Sequence, residues 1–170
     1  EVEGVQHVDR LTVTVANERL ADIEAAESII TELDLSQRFE GETLLTVRAY
    51  DEADTVLATG TLFVIIDRTP PQLRIASPDL RTEISDEPFP VMLEVTDLTN
   101  VTAAVYVDGA LAEEFPGRPY ESAIDPTEYD SGPHRVRAEA TDAAGNTAVA
   151  EVEVSFIFCA DAEMVPIQNL

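Results

Sequence analysis

Oxygen-bearing side chains dominate the chemistry this chain can offer. Five of them fall where three separate loops would end: Asp67, Asp97, Asn100, Asp142 and Asn146. Calcium takes six to eight hard oxygen ligands, mixing carboxylates, amide and backbone carbonyls, and water. These residue types suit that ion, provided the fold brings them together. Asp67 and Asp142 have an alternative use, since an Asp side chain readily hydrogen-bonds the amides of its own turn.

Other constellations are poorer. His7 and His134 are the only candidate general bases, and no Gly-x-Ser-x-Gly elbow accompanies any serine. His134 follows Gly132-Pro133 at a strand start, where an exposed side chain is expected. Two distant histidines and the single Cys159 make no zinc set, because Cys-x-x-Cys and His-Glu-x-x-His are both missing. Glu113-Glu114 is an acidic pair, but with 34 Asp and Glu in 170 residues such pairs arise by chance. A glycosidase also needs its carboxylates to flank a sugar cleft. No glycine-rich phosphate loop occurs, and Asn100-Val101-Thr102 fits a glycosylation sequon. The chain therefore reads as not an enzyme.

Charge narrows the partners. The formal net charge is −24, and all ten basic residues are Arg. Such a surface repels nucleic acid and anionic membranes and attracts cations. Trp is absent, which disfavours a flat aromatic platform for sugars. No apolar run is long enough to span a bilayer. No signal peptide is visible, and the start at Glu1-Val2-Glu3 has the look of a cut through a longer precursor. Cys159 has no internal disulfide partner, and a buried apolar role suits it best.

The elements that would position the acids come from an internal repeat. Displaced by about 91 residues, the chain matches itself: Leu20-Ala21 on Leu111-Ala112, Asp34 on Asp125, Gly41 on Gly132, Ala49 on Ala140 and Asp51 on Asp142. After Asp51 a one-residue shift sets Leu62, Val64 and Ile66 on Val152, Val154 and Phe156. Residues 21–33 have helical spacing, but their counterparts 112–124 contain Pro116, Gly117 and Pro119. Those residues oppose a helix, so a loop and short strand are expected in both copies. Elsewhere apolar and polar residues alternate: Leu73 and Ile75; Val91, Leu93 and Val95; 101–107, closed by Asp108-Gly109; 134–141; and 148–156. Short alternating strands in units of about 90 residues indicate an antiparallel β-sandwich of the immunoglobulin type.

The expected organisation is all-β, with two tandem immunoglobulin-like antiparallel β-sandwiches, the first lacking its initial strands. Residues 1–67 form the first module, 68–158 the second and 159–170 a C-terminal tail. The boundary is Asp67-Arg68-Thr69-Pro70-Pro71, where two prolines stiffen the link. The tail is expected to dock on its own sandwich or to enter a neighbour as an added strand. In this topology the linker, the second-to-third strand loop and the sixth-to-seventh strand loop share one pole. That is where Asp67, Asp97, Asn100, Asp142 and Asn146 would converge.

The run from Tyr129 to Asn146, ending Thr141-Asp142-Ala143-Ala144-Gly145-Asn146, resembles the end of bacterial immunoglobulin-like repeats of surface adhesins and secreted proteins. The Asp-Arg-Thr-Pro-Pro linker is similar to theirs as well. In the first module Asp51-Glu52-Ala53-Asp54-Thr55 departs from the Asp-x-Ala-Gly-Asn turn. The resemblance implies spacers or adhesive units at the cell surface or outside the cell, some of them binding calcium at module junctions. Their partners would be neighbouring protein domains or subunits, without nucleic acid or membrane insertion. Two other readings stay open: an accessory region of a larger secreted enzyme, and a fibre subunit completed by strand exchange with another chain.

Overall fold

The computed structural model describes residues 7–27 and 29–158. Cys159 and the expected tail lie outside the described residues. The chain divides into two compact units, Glu1–Arg68 and Thr69–Leu170.

Unit 2 holds eight strands: β5 (Gln72–Ser77), β6 (Glu83–Ile84), β7 (Phe89–Thr96), β8 (Val101–Val107), β9 (Ala110–Phe115), β10 (Glu121–Ile124), β11 (Gly132–Asp142) and β12 (Thr147–Phe156). They form one sheet of order β10-β7-β5 and a second of order β6-β12-β11-β8-β9. All pairs are antiparallel except β12 with the short β6. This is the strand order of an immunoglobulin-like sandwich. Strict alternation drives it. Phe89, Val91, Leu93 and Val95 of β7 are buried at every second position, as are Val101, Ala103, Val105 and Val107 of β8. Val136, Ala138 and Ala140 of β11, with Val152, Val154 and Phe156 of β12, complete the same core. A one-residue slip in any strand would turn this apolar set outward, so the register is strongly specified.

His134 corrects its expectation. Its side chain is only 9% exposed. The parity that buries Val136 and Ala138 also turns His134 inward, where it stacks on Phe156 at 4.3 Å between centroids. Its Nδ1 pairs with Asp108 Oδ2 at 2.6 Å and its Nε2 with the Asp130 carbonyl at 2.7 Å.

The described residues of unit 1 form a four-stranded antiparallel sheet, order β2-β1-β3-β4. Its strands are β1 (Arg10–Val15), β2 (Glu18–Glu24), β3 (Gly41–Tyr50) and β4 (Val56–Ile66). They repeat β8, β9, β11 and β12. Leu45 pairs with Leu62 as Val136 pairs with Val152, which is the register read from the sequence. The first hairpin is off by one. Leu45 pairs with Val15 and Val136 with Val107, a displacement of 92 there rather than 91. Irregularities at Val13/Thr14 and Val105/Tyr106 also correspond at 92. Leu20 therefore matches Ala112, not Leu111.

The described residues among 25–40 contain no strand, where unit 2 has β10. β10 pairs with β7, and unit 1 has no counterpart of β7 among its described residues. Arg68 holds this segment instead, donating from its guanidinium to the carbonyls of Leu35 (2.7 Å) and Arg38 (3.1 Å). Val13, Val15, Leu45, Ala49 and Ile66 are buried, whereas Leu62 remains 60% exposed.

Both first hairpins turn through two residues with positive φ: Ala16 (48°) and Asn17 (67°), Asp108 (50°) and Gly109 (86°). Alanine is a poor residue for that region. Ala16→Gly should leave spectra unchanged and stabilise unit 1 by about 0.5–1 kcal/mol in a denaturant titration. Phe156→Ala removes a fully buried ring from the unit 2 core and should cost about 3–5 kcal/mol. Leu62→Ala, at an exposed position, should cost less than about 1 kcal/mol.

Candidate metal centre

Two loops that hold or adjoin four of the five expected ligands meet at one pole of unit 2. Gln72 pairs with Thr96, so β5 begins where β7 ends. Val101 pairs with Asp142, so the 97–100 and 143–146 loops lie side by side. Asp97 and Asp142 each present a carboxylate oxygen within 4.8 Å of the other's.

Each carboxylate also serves its own loop. Asp142 is 6% exposed. Its Oδ1 accepts the backbone N–H groups of Ala144 (2.9 Å) and Asn146 (2.8 Å), and its Oδ2 accepts Nδ2 of Asn146 at 2.8 Å. Gly145, at φ 91°, supplies the left-handed residue of this turn. Burial pushes the Asp142 carboxyl up. The donors from the Asn146 side chain and from the backbone of Asn146, Ala144 and Gly145 outweigh it and hold the group below its ordinary value. Asp97 Oδ1 accepts both the backbone N–H (2.8 Å) and the hydroxyl (3.2 Å) of Thr99.

The remaining expected ligands differ in their setting. Asn146 lies against Asp142. Asn100 is exposed and immediately precedes β8. Asp67 belongs to unit 1, directly after β4 and two residues before Thr69.

Three residues of this pole were missed from sequence. The Thr99 hydroxyl accepts the N–H of Ala143 at 3.3 Å and so links the two loops. Its signal was the Asp97-Leu98-Thr99 spacing, which favours an Asx-type turn. Tyr120 donates its buried hydroxyl to the Val101 carbonyl at 2.8 Å, and Arg118 donates to the Val95 carbonyl at 2.6 Å. Those two anchor the 116–120 segment against the ends of β7 and β8.

Unit 1 repeats the turn. Asp51 Oδ1 accepts the N–H groups of Ala53 (2.9 Å) and Thr55 (2.8 Å), and Asp54 at φ 62° stands where Gly145 stands. Glu113 Oε2 accepts the Ser122 hydroxyl at 2.8 Å, a structural use of an acid from the chance pair.

No family model matches this sequence, and no curated protein matches it. Among solved structures the chain is similar to the fibronectin(III)-like modules of Clostridium thermocellum CbhA, at 14% identity over 93% of this chain and 83% of that one, TM-score 0.47. It is also similar to the Bacteroides ovatus mixed-linkage glucan utilization locus protein SGBP-B, solved with a mixed-linkage heptasaccharide. That match has 19% identity over 55% of this chain and 26% of the other, TM-score 0.41. Drosophila N-cadherin EC1-4 matches at 13% identity over 88% of this chain and 42% of its own, TM-score 0.40. Likenesses at this level add nothing to what the strand order establishes: an immunoglobulin-like β-fold.

The depressed Asp142 carboxyl, with Asp108 and Asp125 lowered likewise, has a defined consequence for pH. A carboxyl whose folded value lies below its unfolded value stabilises the protein above the unfolded value, near pH 3.9. That contribution is lost as pH falls through the folded value. The melting temperature of unit 2 should therefore drop below about pH 4. Asp142→Asn keeps the shape but sets two amide groups against each other. It should lower the melting temperature by a few degrees at pH 7 and flatten the acid slope, as followed by circular dichroism.

Proposed function

We propose that this chain is a non-catalytic structural or adhesive region of an extracellular or cell-surface protein, and that calcium stiffens it at the pole of unit 2. The observation that carries the ion is the approach of the Asp97 and Asp142 carboxylates. Two like charges so close repel unless a cation or a proton intervenes, and Asp142 is held toward its ionised form. Asn146 and Asn100 would add neutral oxygens. Such a set, completed by backbone carbonyls and water, satisfies calcium. The non-catalytic reading is supported by a sandwich interior filled with side chains: Val91, Val105, Val107, Val136 and Phe156 are all fully buried.

A second reading follows from unit 1. Its sheet repeats the β8-β9-β11-β12 half of unit 2, and its described residues include no counterpart of the β5-β7 half. Strands supplied by another chain, as in a fibre subunit completed by strand exchange, would cover Val47 and Leu62.

Calorimetry with added calcium tests the ion. Extracellular calcium modules bind in the range of about 0.1–1 mM. At about 10 mM calcium such a site adds roughly 1.4–2.7 kcal/mol, read as a melting-temperature rise of several degrees. Magnesium at equal ionic strength should give far less, and Asp97→Asn or Asp142→Ala should abolish the rise. No rise at about 10 mM, or the same rise in both variants, ends the calcium reading.

A further inference from the structure

The open edge of unit 1 differs from its counterpart in unit 2 in two respects. β4 ends the order β2-β1-β3-β4, and among the described residues of unit 1 no strand pairs with its outer side. The corresponding strand β12 is closed by β6. There the N–H of Arg81 donates to the Glu153 carbonyl at 2.7 Å, and those of Ser155 and Ile157 donate to Thr82 (2.9 Å) and Ile84 (2.8 Å). An open edge presents a row of backbone donors and acceptors, which natural sheets guard with charge, proline, bulges or a covering segment. β4, Val-Leu-Ala-Thr-Gly-Thr-Leu-Phe-Val-Ile-Ile, has neither a charge nor a proline. Its ladder with β3 runs without irregularity from Ala58 to Ile66.

The outer face beside that edge is changed in the same direction. In unit 2, Arg135 faces Glu153 and Arg137 faces Glu151 across the strands. The same two places in unit 1 hold Leu44 facing Phe63 and Thr46 facing Thr61. Leu44, Phe63 and Ile65 are 38%, 65% and 55% exposed. An edge without guards thus coincides with an uncharged outer row on β4 itself, Thr59, Thr61, Phe63 and Ile65, while on β3 Glu42 faces Ile65 and Arg48 faces Thr59 at its two ends.

We infer that β4 is a self-association edge. Two copies of this chain pair their β4 strands antiparallel about a twofold axis, joining their sheets into one. The occupant follows from charge and symmetry. At net −24 two copies repel over most of their surface, and a basic partner would be drawn to the acidic faces instead of this strip. A neutral strip is matched by an equally neutral one, which a second copy brings in an isologous pairing. An axis perpendicular to the sheet keeps Phe63 and Ile65 of both copies on one face, so the exposed patches adjoin. Backbone ladders supply the affinity, as in other strand additions. No ion takes part, so the inference stands apart from the calcium reading.

Sedimentation equilibrium of the full chain with a chelator present, from about 1 to 500 µM at low and high salt, provides the test. The expected result is twice the chain mass at high concentration, with tighter association at high salt because repulsion is screened. Thr61→Lys should weaken association at least about tenfold. Val149→Lys, the same charge change at an exposed position of β12, should leave it unchanged. Thr59→Lys replaces Thr61→Lys if the latter alters the dilute chain's circular dichroism. Amide exchange across 58–66 should slow with concentration. A monomer throughout overturns the inference. So does a dimer indifferent to the β4 lysines, or one whose β4 amides exchange as in the dilute chain.

Discussion

An antiparallel sheet with one apolar face is stable in water when something covers that face, and this requirement organises both units. In unit 2 the cover is complete. Val91, Leu93 and Val95 of β7 meet Val105, Val136, Val152 and Phe156 of the facing sheet, and all are buried. Because side chains alternate at every residue, this burial fixes the register of each strand and so the place where each strand stops. Asp97 follows the last residue of β7, and Asp142 is the last of β11. The meeting of their loops is a consequence of core packing more than of any attraction between acids.

The described residues of unit 1 form one of the two facing sheets. Its strand order and pairings reproduce the β9-β8-β11-β12 array of unit 2, yet the described residues among 25–40 stay irregular. The segment equivalent to β10 needs a β7 to pair with. Without one, its backbone is satisfied piecemeal: Arg68 reaches the carbonyls of Leu35 and Arg38, and the Asp34 carboxylate takes the N–H of Ser36. Such bonds order a loop without burying a sheet face, which is why Leu62 stays largely exposed while the repeat-related Val152 is 8% exposed.

Much of this was legible in the sequence because alternation and repetition report packing directly. Leu62, Val64 and Ile66 fell on Val152, Val154 and Phe156 because both sets face inward from the same strand. The first hairpin was misregistered for an equally physical reason. Its displacement differs by one residue, and the difference is absorbed in the irregular stretch between β2 and β3, where no periodicity marks it. The Leu20-Ala21 match to Leu111-Ala112 was a coincidence across a bulge. His134 was misjudged because the turn before it dominated the reading. Its parity with Val136 and Ala138 already pointed inward. Tyr120 and Arg118 were not legible, since their partners are backbone carbonyls of distant strands, and a carbonyl has no sequence signature.

The repeat also limits what the acids themselves can mean. Asp51 and Asp142 close the same turn with the same pair of backbone bonds, in sequences that share little besides the Asp. A carboxylate at that place is therefore a requirement of the turn, and its hydrogen bonds carry no information about an ion. What distinguishes the pole of unit 2 is the second carboxylate. Asp97 takes part in its own Thr99 turn and also comes within 4.8 Å of Asp142. An asparagine would cap the Thr99 turn as well, so the charge of Asp97 is surplus to that turn and costs electrostatic repulsion in a chain already strongly acidic. The weight of any metal assignment therefore rests on Asp97 and its distance from Asp142, not on the number of acids nearby.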